Sequence, residues 1–115
     1  VTGPSTNPGG IGGTTGRLYV TDGATDKIYE IDLDTMLDIS SGGVSGPSTG
    51  TQGVGGSRGR LYHVDRTSNK VYELDPDTML DISSGGVTRP GSDPRGIGGV
   101  NGRLYHSDIE YMKWI

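Results

Sequence analysis

Apolar side chains in this chain arrive in short bursts and never in long runs. Leu18, Tyr19 and Val20 form one burst, Ile28, Tyr29 and Ile31 the next, and Met36, Leu37 and Ile39 a third, with Gly, Asp, Ser or Thr between them. Bursts of this length, rich in Tyr, Ile and Val and bounded by turn residues, predict β-strands. Residues 10–13 (GIGG) predict a short inner strand that turns at TTG. Residues 16–22 (GRLYVTD) predict a second strand ending at an Asp-Gly turn, and residues 26–32 (DKIYEID) a third. LDTM at 33–36, or PDTM at 76–79, predicts a turn: Pro76 fixes φ, and Asp34 or Asp77 can accept hydrogen bonds from neighbouring backbone N–H groups. Residues 36–40 (MLDIS) alternate apolar and polar, the pattern of an edge strand with one wet face. No window of 11 residues repeats apolar positions at three-four spacing, and Gly interrupts every candidate helix. The fold class is all-β.

The same pattern recurs at an offset of 43 residues, giving copies at 1–43, 44–86 and 87–115. The first two agree at 27 of 43 positions, TMLDISSGG occurs in both, and the third copy holds only the first 29 positions. Many of the differences exchange Ile for Val or Leu, or Thr for Ser, which preserves shape and polarity. A period in the forties with four short strands per unit predicts the blade of a β-propeller, a small antiparallel sheet that buries its faces only against neighbouring blades.

GIGG followed by GRLYVTDGATDKIYEID resembles the blade pattern of NHL and YVTN type β-propellers, a Gly-Ile/Val inner strand before a strand reading Leu-Tyr-Val-x-Asp. The match covers about 25 residues of each unit, and all three units carry its first half. The resemblance implies the fold and says little of activity, because propellers host many functions. The chain departs from that family in having too few blades for a closed ring and in the Gly- and Ser-rich segment GGVSGPSTGTQG between blades. The expectation is an incomplete ring in one chain, completed by self-association or by neighbouring blades of a longer repeat protein.

Composition narrows the partners. The hydrophobic share is 30%, Phe and Cys are absent, and 22 Gly with 6 Pro make up about a quarter of the chain, so a lone unit has a thin core. The net charge is −4 and no basic cluster appears, which disfavours nucleic acid. No apolar run approaches the length of a membrane span, and the N-terminal residues lack a secretion-signal pattern. Without Cys there is neither a disulfide framework nor a thiolate metal site. The compartment stays open, with an extracellular or virion-associated setting favoured.

Candidate chemistry sits at repeated positions. Asp22, Asp65 and Asp108 end the Leu-Tyr strand of each unit; a ring of carboxylates there could bind Ca²⁺, but turn capping is the expected role. His63 and His106 match Val20 and are expected to be structural, since no further ligands accompany them. Tyr19, Tyr62 and Tyr105 share one position, and Tyr29 and Tyr72 another; both sets are expected to pack between sheets with their hydroxyls reaching an edge. Copies differ most before the inner strand and after the Leu-Tyr strand, segments that a blade brings to one face. Asn7, Gln52, Arg66, Asp93, Arg95 and Glu110 are therefore expected to share one rim, which is either a ligand-binding surface or a set of loops that vary without constraint.

The expected function is a non-catalytic structural or binding module, with no metal and no cofactor, taking a glycan or protein ligand. The alternatives are a lectin-like propeller using Tyr111 and Trp114, or a fragment of a metal-dependent lactonase-like hydrolase.

Overall fold

The computed structural model describes residues 3, 8–88, 94–100, 102–108 and 112–114, with the backbone alone at 8, 94, 95, 100, 106–108 and 112–114. The described residues contain strands and turns and no helix. The first sheet is β1 (Pro8–Thr14), β2 (Arg17–Asp22), β3 (Lys27–Ile31) and β4 (Val44–Ser45), paired antiparallel in chain order. The second repeats it with β5 (Thr51–Ser57), β6 (Arg60–Asp65), β7 (Lys70–Leu74) and β8 (Val87–Thr88). The third has β9 (Pro94–Val100), β10 (Arg103–Asp108) and β11 (Met112–Trp114). We call them blades 1, 2 and 3.

MLDIS does not form the expected strand. Residues 36–39 touch the sheet at a single bridge, Ile31 to Asp38, repeated at Leu74 to Asp81, and the fourth strand is instead the opening pair of the next copy, Val44–Ser45 or Val87–Thr88. The cause is local. Met36 has a φ of 61°, outside any strand, and the Asp38 carboxylate takes the Ser40 and Gly42 N–H groups, removing donors that a ladder would need. The preceding turn is capped by Asp32 and Asp75 rather than by Asp34 and Asp77: each accepts from the N–H groups two and three residues on, at 2.8–3.1 Å.

Inner strands stack edge-on around an axis, and glycine sets their spacing. A Cβ on Gly12 would lie 2.2 Å from the Val54 carbonyl oxygen, and one on the equivalent Gly55 would lie 2.3 Å from that of Ile97. No side chain fits there, so GIGG and GVGG are read by the neighbouring backbone. Strand alternation then turns the intervening apolar residue toward the preceding blade. Val54 (1% exposed) and Ile97 (8%) are covered in this way, and Ile11, over which no other described blade lies, is 66% exposed.

The core lies between blades 1 and 2. Tyr19 and Ile28 of blade 1 meet Val54, Leu61, Tyr72, Leu74 and Met79 of blade 2, with Val44 packed at the edge. Burying this many large side chains, at about 1.5–3 kcal/mol each, is what two thin sheets gain by stacking. Three directional contacts fix the stack. Tyr19 donates to the Pro76 carbonyl at 2.9 Å, Arg17 pairs with Asp77 at 2.5 Å, and the Gly59 N–H donates to Thr14 Oγ1 at 2.9 Å. The last recurs one blade on, where Gly102 N–H donates to Ser57 Oγ at 3.0 Å.

Blade 3 departs in one register. Tyr19 and Tyr62 sit opposite Glu30 and Glu73, whereas Tyr105 sits opposite Trp114.

Candidate functional site

Loops at one rim of the stack enclose a cleft of about 430 Å³ between blades 1 and 2. Gly23 and Asp26, from the β2–β3 turn, form one wall. Thr51 and Gln52, at the start of β5, form the floor with Thr49 and Gly50 before them, and Arg66 and Thr67 of the β6–β7 turn close the far side. The variable segments of two copies therefore meet here because the entry loop of blade 2 is wedged between two hairpin turns. Backbone bonds hold the wedge: Arg66 N–H donates to the Gly50 carbonyl at 2.7 Å, and Gly46 N–H to that of Asp26 at 2.9 Å. Thr21 Oγ1 donates to the Gln52 carbonyl at 2.9 Å.

Of the six rim residues expected from sequence, Gln52 and Arg66 are brought together in this cleft. Asn7, Asp93 and Glu110 lie outside the described residues, as does Tyr111, and Arg95 is placed only as part of β9. Asp26 and Thr51 were missed. Asp26 reads as the first residue of a strand but has a φ of 56°, which places it in the turn. Thr51 stands where the other copies have Pro8 and Pro94, a difference visible in the aligned copies.

Among the described residues, two polar atoms of the cleft lining, Asp26 Oδ1 and Thr51 Oγ1, are buried without a hydrogen-bond partner. A buried oxygen without a partner costs about 1–3 kcal/mol.

The repeated aspartates cap turns. Asp22 Oδ1 accepts from the Ala24 and Thr25 N–H groups at 2.8 and 3.2 Å. Asp65 accepts from Ser68 N–H at 3.0 Å and, across the entry loop, from Gly50 N–H at 3.1 Å. Burial pushes the Asp65 carboxyl up, but the His63 imidazole and the Ser68 and Gly50 amides outweigh it and hold the group below the usual carboxylate range. Asp108 is placed only as the end of β10.

His63 is fully buried. Its Nδ1–H donates to the Gly53 carbonyl at 2.9 Å and its ring stacks on Tyr72 at 6.0 Å, while Nε2 lies 3.8 Å from Asp65, too far for a hydrogen bond. His106 is placed only within β10. Among the described residues no three His, Asp or Glu side chains converge to hold a metal.

Three of the five repeated tyrosines pack as expected, and Tyr62 and Tyr105 are half-buried. Tyr19, Tyr29 and Tyr72 are buried; Tyr29 shares a hydrogen bond with Thr25 at 3.0 Å and Tyr72 donates to Ser68 at 2.7 Å. Burial pushes the Tyr19 phenol up to about 12, against a smaller opposite pull from Arg17, so it remains a donor to Pro76 across the neutral range.

No protein-family model and no curated protein matches the chain. Solved structures do. Glutaminyl cyclase from Myxococcus xanthus aligns over 96% of this chain and 57% of its own, at 18% identity and a TM-score of 0.65. Virginiamycin B lyase from Staphylococcus aureus aligns over 88% of this chain and 34% of its own, at 18% identity and a TM-score of 0.58. Hydrazine synthase from Kuenenia stuttgartiensis aligns over 95% and 34%, at 15% identity and a TM-score of 0.58. The chain spans about half or less of the length of these proteins. The cyclase and the lyase are propeller-like proteins, and the likeness establishes the fold: this chain is a set of β-propeller blades.

Proposed function

We infer that the chain is a non-catalytic structural and binding module of NHL or YVTN type blades, whose ring is completed by further blades. Those blades come from other copies of the chain or from a longer repeat protein. One observation carries this reading: blade 1 presents to water the face that blade 2 buries. Ile11 and Met36 are 66% and 49% exposed, while their equivalents Val54 and Met79 are 1% and 4% exposed. Uncovered apolar surface of this kind favours a partner. Light scattering tests it. A discrete species of two or more chains is expected, and a well-folded 12.0 kDa particle at every concentration overturns self-association.

The rim cleft favours a second role in binding. Its volume falls within the range of about 300–1,000 Å³ usual for small-molecule sites, and the unpartnered Asp26 and Thr51 oxygens ask for donors. A hydroxyl-rich ligand such as a glycan meets that demand. A glycan array followed by titration tests it: Thr51→Val is expected to weaken a detected ligand, and unchanged affinity would remove the cleft from consideration. Tyr111 and the Trp114 side chain, on which the lectin-like alternative rests, lie outside what the structure describes. A lactonase-like hydrolase needs converging metal ligands, which the described residues do not provide.

A further inference from the structure

The internal stacking of blades specifies how one copy of the chain meets another. We propose that copies dock head to tail, the bare face of blade 1 in one copy covering the outer face of blade 3 in the next, in the register by which blade 2 covers blade 1. This rests on the ring-completion reading and adds to it the partner, the surfaces and the residue pairs.

The register follows from the offset of 43. Blade 2 offers blade 1 three things: Val54, with its carbonyl against Gly12 and its side chain in the shared core, the Pro76 carbonyl to the Tyr19 hydroxyl, and the Asp77 carboxylate to Arg17. Blade 1 has each of these at the equivalent position, as Ile11, the Leu33 carbonyl and Asp34, and all three residues are exposed. Blade 3 has the receiving set at Gly98, Tyr105 and Arg103. Space for a Cβ at Gly98 is open, with nothing within 4 Å, although the same atom at Gly12 or Gly55 would strike a carbonyl. Among the described residues, the space that a neighbouring strand fills beside Gly12 and Gly55 is open beside Gly98 on the outer side of blade 3. Acid meets base at the end of the sheets opposite the cleft, since Asp34 of one copy faces Arg103 of the next.

Two different surfaces are joined, so the contact is heterologous: it either closes as a ring or continues as a chain of copies. It is also weaker than the internal contacts in one respect. Val100 stands where Thr14 and Ser57 accept the turn N–H of the following blade, and valine has no hydroxyl.

The heterologous geometry makes a mixing experiment decisive. Ile11→Asp places a charge on the head, and Gly98→Ala places a methyl where the next copy's backbone must lie; each blocks one side and leaves the other intact. Sedimentation velocity on the full chain is expected to show wild type associating and each variant alone shifted toward monomer, with at least a roughly tenfold weaker apparent Kd. An equimolar mixture of the two variants is expected to recover a dimer that grows no further, because only one intact head and one intact tail are present. Far-UV circular dichroism and the unfolding midpoint check that both variants fold; if Ile11→Asp does not, Met36→Asp replaces it as the head block. Variants that still associate like wild type, or a mixture that stays monomeric, overturn the head-to-tail register while leaving self-association standing. Wild type that is monomeric throughout overturns both.

Discussion

Blades 1 and 2 are spelled almost alike and live in different surroundings. Met79 lies under blade 1 at 4% exposure, and Met36, in an identical stretch of sequence with the same left-handed backbone, is 49% exposed. Burial in this molecule is therefore decided by stacking between sheets, not by the pattern within one sheet. Each blade supplies one inner wall of a core and depends on its neighbour for the other. The repeated Gly12 and Gly55 show the same dependence from the backbone side, since their lack of a Cβ matters only where another strand arrives.

Matched substitutions at equivalent positions sharpen or break this comparison, with stability read by urea unfolding of the dilute chain. The largest difference is expected between Met79→Ala and Met36→Ala: about 2–5 kcal/mol for the covered site and under about 0.5 kcal/mol for the bare one. Equal losses would mean that the sheets do not stack as described. Next come the axis glycines. Gly12→Ala and Gly55→Ala are each expected to cost about 1–3 kcal/mol, while Gly98→Ala is expected to stay within about 0.5 kcal/mol. Tyr19→Phe removes the bond to Pro76 and is expected to cost about 0.5–1.5 kcal/mol. Tyr62→Phe is the matched control, because the Tyr62 hydroxyl makes no hydrogen bond among the described residues, and little change is expected.

The smallest effect near neutrality is that of pH. Asp38, Asp65, Glu73 and Asp81 all titrate below their usual values in the folded chain. The unfolded chain then binds protons first as pH falls, so these groups contribute fully above the ordinary carboxylate range, near pH 4, and lose that contribution below it. Unfolding midpoints are expected to be flat from pH 7 to about 5 and to fall below about 4. Asp65→Asn is expected to flatten part of that fall, and an unchanged acid limb would show that the capping aspartate does not contribute.

The stretches around Leu18–Tyr19 and Ile28–Tyr29 were legible as strands because aromatic and β-branched residues there are bounded by Gly and Asp turns, and both form strands in two copies. MLDIS alternates just as well and forms no strand, because alternation ignores what Asp38 and Asp81 do with the backbone N–H groups beside them. The rim followed a similar course. Variation between copies pointed to Gln52 and Arg66, but Asp26 and Thr51 became visible only when three loops from two blades were placed around one cleft. A contact between residues of different copies leaves no trace in the periodicity of either.

The outermost strand of each four-stranded sheet is written by the first residues of the following copy: Val44 seals against Ile28, and Val87 against Val71. Sequence period and folded leaf are thus out of phase, like bricks laid in running bond. Excising residues 1–43 would tear a leaf along its seam, whereas a piece from 8 to 50 would lift out whole. Successive leaves are stitched so that none can peel away without also unpicking the thread that leads into the next.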